Sequence, residues 1–189
     1  MQESLRTCAD RVTCGDTYSL LAFYTAHRSG MWKRRPEAEL VDGWIKRALE
    51  LVEPGSEAHV RTLVAQAYWH PESDEAVARE ASALAERLGN VELRSYAWLA
   101  RSAAAFSARR YQEAFDWAQR RFDLWDEIGD PDHIVEMLEE TSPTTIALGH
   151  FKEAWAPGRW GRRSGGADSG TRGSGIRASP RACRTAPDA

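Results

Sequence analysis

The chain has 189 residues, 42% of them apolar and 28% charged, with eight Trp; that is enough for one ordinary core and excludes disorder throughout. Its formal charge of −3 conceals a division, because residues 1–156 carry 18 Lys+Arg against 26 Asp+Glu whereas residues 157–189 carry seven Arg against two Asp. An acidic body gains nothing from a phosphate backbone, so nucleic acid is not an expected partner. The absence of a basic leader, and of any apolar run long enough to span a bilayer, gives the expectation of a cytoplasmic chain with no membrane partner.

Residues 1–15 read as an N-terminal half-repeat or extension, with a weak helix over 1–12. Cys8, Cys14 and Cys183 make an odd count, and a Cys-x5-Cys spacing is no zinc half-site, so reduced thiols and no metal are expected. From Asp16 the text falls into helix pairs. The first runs Asp16 to Tyr24 and Pro36 to Val52, joined by a basic connection from His27 to Arg35. The second runs Glu57 to Trp69 and Asp74 to Leu88, with Ser73 as an N-cap and a stop at Gly89-Asn90.

The third pair is clearest. Leu93, Tyr96, Ala97, Leu99, Ala100, Ala103, Ala104 and Phe106 recur at three- and four-residue steps, the mark of one buried helix face. A second helix follows from Tyr111 through Trp125 and stops at Gly129-Asp130-Pro131, where glycine can turn left-handed and proline can open the next helix. The fourth pair starts at Asp132, is expected to kink at Pro143, turns at Gly149 and restarts at Phe151 with a shortened second helix. The architecture expected is all-α: an α-solenoid of about four antiparallel helix pairs over 16–156, followed by a disordered tail at 157–189.

A recurring dipeptide suggests the register of these pairs: Glu37-Ala38, Glu75-Ala76, Glu113-Ala114 and Glu153-Ala154 lie 38, 38 and 40 residues apart. Setting Ala38, Ala76, Ala114 and Ala154 at the small position where two helices of a unit cross, the chain resembles a tetratricopeptide repeat array. Trp98, Ser102, Tyr111 and Ala114 then match the motif in the third copy, and Gly149, Phe151 and Ala154 match it in the fourth. Arg101 stands where a leucine belongs, Arg109 where the turn glycine belongs, and the period exceeds the family's. Phrases such as Ala85-Glu86-Arg87-Leu88-Gly89-Asn90 are also similar to the C-terminal repeats of large bacterial signalling ATPases, some bearing a cyclase and others a DNA-binding domain. None of those output modules is present.

The resemblance implies a concave groove lined by Arg61, Ala65 and Tyr68 in the second copy and by Tyr96, Leu99, Ala103 and Phe106 in the third. Aromatic and guanidinium groups suit an extended peptide or an acidic segment, against the plainer reading of Tyr68, Tyr96 and Phe106 as inter-repeat core. No phosphate-cradling loop, clustered histidines or catalytic carboxylate pair is found; His133 beside Asp132 reads as a capping residue and Glu139-Glu140 as solvated surface. No catalytic residue, cofactor or metal is therefore expected. The function that follows is a non-enzymatic scaffold binding a protein or peptide, a fragment of a bacterial regulator. The alternative is a module sensing an effector or signalling peptide to control a linked cyclase or DNA-binding domain.

The tail from Pro157 is rich in Gly, Ser, Arg and Pro and cannot bury enough surface to fold. Composition changes abruptly inside the helix begun at Phe151, as a frameshift or a truncated gene would produce. An array lacking a polar final helix is expected to expose Phe151 and Trp155 and so to self-associate.

Overall fold

In the computed structural model the described residues are 10–28, 33–34, 36–72 and 74–150, and among them every regular element is helical. The helices are α1 (Arg11–His27), α2 (Ala38–Leu51), α3 (Glu57–Trp69), α4 (Glu75–Leu88), α5 (Val91–Ser107), α6 (Tyr111–Phe122) and α7 (Pro131–Ala147). The expectations placed on Ser73, Phe151, Ala154, Trp155 and the tail lie outside the described residues.

Local chemistry sets most of the boundaries. Asp10, Ser56, Asn90 and Asp130 each accept a backbone N–H from the first turn of the odd-numbered helix that follows, supplying amides that have no partner inside the helix. Gly89 ends α4 at φ +69°, a left-handed conformation that costs glycine little. Pro131 opens α7 at its first position, where the missing N–H is harmless. Pro143 does not end α7, which continues to Ala147; Thr141 and Ser142 hydroxyls donate to the carbonyls of Met137 and Leu138 one turn back, at 2.7 and 3.3 Å. Helix α1 begins five residues ahead of the expected Asp16, because Asp10 caps it.

Each helix packs on its neighbour in sequence, and in addition α1 packs on α3 and α3 on α5. Helices α1, α3 and α5 thus share a layer, with the even-numbered helices packed between their neighbours in sequence and α7 joined through α6. One apolar cluster runs from Ala22 and Phe23 in α1 through Val60, Leu63 and Val64 in α3 to Tyr96 and Leu99 in α5. A second joins Phe122, Leu124 and Ile128 to Met137 in α7. Small side chains let helices meet: at Gly15, an added Cβ would stand 3.1 Å from the backbone of Leu51 and Val52.

The inward stripe of the even helices corrects the register read from the recurring dipeptide. Ala38 and Ala76 are exposed at their helix starts, whereas Ala114 is fully buried. The buried sets are Val41, Ile45 and Ala48 in α2, Ala78, Ser82 and Ala85 in α4, and Ala114, Ala118 and Arg121 in α6, so equivalent residues recur after 37 and then 36 positions. The dipeptide drifts against this spacing, and of its three copies among the described residues only the third falls where helices cross. Ser102 Oγ donates to the Ala114 carbonyl at 2.8 Å across that crossing. Arg101 fits in place of leucine by laying its guanidinium over the Trp117 ring, 4.4 Å from the centroid. Cys14 is disulfide-bonded, which corrects the expectation of a reduced thiol there.

Ala114→Leu is expected to overpack the α5–α6 crossing and lower stability by about 1–3 kcal/mol, while Ala76→Leu on the exposed face changes it by less than about 0.5 kcal/mol. Urea melts of the two variants distinguish this register from the dipeptide's, which would make them equivalent.

Candidate functional site

The inner side of the odd-numbered helices carries a cluster of ionisable groups around Arg121. In the two earlier even helices this position is Ala48 or Ala85; here it is an arginine with 1% of its surface exposed. Its stem is too long for the slot an alanine fills, so the guanidinium projects between α5 and α7. Arg121 Nε donates to Ser95 Oγ at 3.2 Å, and Nη1 and Nη2 have no hydrogen-bond partner. Burial lowers the Arg121 pKa to about 10, against the opposing pull of Glu140, Tyr96, Tyr68 and Glu136.

Ser95 Oγ also lies 2.9 Å from His133 Nε2. Burial and the neighbouring Arg121 charge hold the His133 ring down to about 4, so the neutral imidazole can accept the Ser95 hydroxyl proton while that oxygen accepts from Arg121. His133 stacks on Tyr96, ring centroids 4.1 Å apart. It is thus a buried partner rather than the cap expected beside Asp132; the capping side chain is Asp130. A Ser–His pair at this distance invites a nucleophilic reading, yet both residues are buried and neither lines a cavity described below.

Two carboxylates one turn apart on α7 complete the cluster. Glu136 accepts from Tyr96 Oη at 3.1 Å and pairs with Arg28 Nε at 2.6 Å, while His27 Nε2 stands 3.8 Å away without a hydrogen bond. Glu140 accepts from Tyr68 Oη at 3.0 Å. Burial raises the pKa of Glu140, against the hydrogen bond from Tyr68, so it is not the solvated surface group that Glu139-Glu140 suggested. Burial also raises both tyrosines, which stay protonated donors. His27 donates from Nδ1 to the Phe23 carbonyl at 2.6 Å and is held down to about 4 by burial. These bonds reach from α7 to α3, to α5 and to the end of α1.

Beside this cluster lies a cavity of about 570 Å³ between α3, α5 and α7. Tyr68, Leu99, Ala103 and Phe106, four of the expected groove residues, line it together with Glu72, Arg109, Tyr111 and Glu140. Arg109 holds a left-handed φ of +60° in the turn after α5, where the repeat resemblance calls for glycine. Tyr96 lies instead in the buried cluster, edge-to-face with Phe23 and stacked on His133. Arg61 is on neither surface; it pairs with Asp16 of α1 and, at 4.0 Å, with Glu57. Tyr111 packs edge-on against Phe106 at 5.3 Å, and the partner position Phe151 lies outside the described residues.

The sequence reading missed Arg121, Ser95, His133, Glu136 and Glu140. The signal for Arg121 was present, since it continues the inward Ala114 and Ala118 stripe where a charge has no ordinary place. Among the described residues no group of His, Cys, Asp and Glu could hold a metal ion, and no helix is long and apolar enough to cross a membrane. Compared with family models, curated proteins and solved structures, the chain matches none of them.

The sign of the pH dependence follows from His27 and His133. Their pKa falls from 6.5 in the unfolded chain to about 4 when folded, so stability is complete above pH 6.5 and declines as pH falls towards 4. At roughly 1.4 kcal/mol per unit the loss is at most about 3 kcal/mol per histidine. Glu140 acts in the opposite sense, its raised pKa favouring the fold at acid pH, but one carboxylate opposes two histidines. Urea midpoints between pH 7 and 4 are expected to fall steadily, with a shallower fall in His133→Gln; a flat profile contradicts the burial of neutral rings.

Proposed function

We propose that this chain is a non-enzymatic interaction module, a tetratricopeptide-like α-solenoid whose inner face binds a protein or peptide. The neighbour pattern supports the solenoid reading, since α1 packs on α3 and α3 on α5, in addition to the contacts of each with its neighbours in sequence. One observation carries the binding reading: Tyr68, Leu99 and Phe106, from two consecutive odd helices, line one cavity of about 570 Å³. Rigid aromatic walls give contact area at small entropic cost, and a few polar groups fix orientation. The chemistry that is present favours binding over catalysis, because Ser95 and His133 are both buried and neither is among the residues lining this cavity, while its carboxylate Glu140 is already engaged by the Tyr68 hydroxyl.

A sensing role is the second reading, favoured by how α7 is held. It reaches α1 and α3 through the ion pair of Glu136 with Arg28 and the hydrogen bond of Tyr68 to Glu140, not through apolar packing. A ligand in the adjoining cavity would alter those bonds and the position of α7.

Selection of the full chain against a phage-displayed random peptide library is expected to enrich sequences whose binding is lost in Phe106→Asp at unchanged circular dichroism. Enriched peptides that bind Phe106→Asp as well as the wild type would place recognition elsewhere.

A further inference from the structure

We propose that the cavity between α3, α5 and α7 selects a cationic side chain, the ammonium or guanidinium of a lysine or arginine in a bound peptide. This rests on the peptide-binding reading above and names what that site prefers. The walls are apolar and aromatic: Leu99 and Ala103 on α5, with the Phe106 and Tyr111 rings meeting edge to face at 5.3 Å. Such walls suit the methylene stem of a long basic side chain, and ring faces attract its charged head. Glu140 supplies the counter-charge. One of its oxygens takes the Tyr68 hydroxyl at 3.0 Å, and although Arg121 acts on it through space, no ion pair forms between them. A carboxylate held in so poorly hydrated a place gains more from an arriving cation than one in water would.

Charge complementarity decides against an acidic occupant. The lining holds two carboxylates, Glu140 within and Glu72 at the rim, against one guanidinium, that of the exposed Arg109. The buried Arg121 does not line the cavity, so it cannot meet an incoming carboxylate unless the Tyr68 to Glu140 bond opens first.

The full-length chain, titrated at low salt with acetyl-Ala-Lys-Ala-amide and with its arginine, norleucine and glutamate counterparts while aromatic NMR signals of Phe106 and Tyr111 are followed, tests this. The lysine and arginine peptides are expected to shift those signals with at least tenfold lower Kd than the norleucine peptide. Glu140→Gln is expected to remove the preference, and Arg109→Gly to strengthen it. Should Glu140→Gln fail to fold, Glu72→Gln at the exposed rim is expected to weaken the preference two- to threefold. If norleucine or glutamate peptides shift the signals with equal or lower Kd, the cavity binds peptides but not by cation recognition, and this inference falls alone. If no peptide shifts Phe106 or Tyr111, the inference falls together with the peptide-binding reading.

Discussion

A guanidinium buried where two sister helices carry alanine is the constraint around which the inner face is organised. At Ala48 and Ala85 the helices close without residue; at Arg121 the same inward position must receive a charge with only 1% of its surface exposed. An uncompensated buried charge costs several kcal/mol, so such a group persists only with polar company. The company is specific: Ser95 on Nε, and on α7 the carboxylates of Glu136 and Glu140, which act through space and are themselves held by Tyr96 and Tyr68. Histidines driven neutral by burial complete the set without adding positive charge.

The same polar company positions the proposed binding site. Helix α7 joins the rest chiefly through α6, and its inner face is tied across the array by hydrogen bonds and an ion pair reaching Arg28, Tyr96 and Tyr68. Hydrogen bonds are directional and each has modest net value, whereas apolar packing is forgiving and strong in sum. A wall held in this way has a defined resting place and a small cost of leaving it. The cavity borders that wall, with Pro143 and Thr144 of α7 on one side and Phe106 of α5 on the other.

Much of the helical order was legible because it rests on local rules. The periodic Leu93 to Phe106 stripe, the Gly89 stop and the Pro131 start each follow from one residue and its neighbours. The register was less legible, because Glu-Ala pairs recur for reasons of helix-start composition as well as of packing, and only burial separates Ala114 from Ala38 and Ala76. That Tyr68, Leu99 and Phe106 fall on odd-numbered helices was legible from the helical periodicity, and they line one cavity. The roles of Glu136, Glu140 and His133 were not legible, because a pairing between residues 72 or 40 positions apart depends on how successive helices are angled on one another. Those angles are set by packing over the whole bundle, and no local pattern encodes them. Arg61 shows the converse: its helix face was identifiable, but its salt bridge to Asp16 depends on a contact between separate helix pairs.

The account stands on α7 being held to the inner face by its carboxylates, independently of the core beneath. Residue-resolved hydrogen exchange of wild type and Glu136→Gln measures this most directly, since local opening reports the free energy holding one element. The expected result is roughly tenfold faster exchange of amides in α7, the factor for about 1.4 kcal/mol, with protection in α1 to α5 unchanged. Exchange that is unaltered in α7, or that quickens equally in every helix, would contradict it.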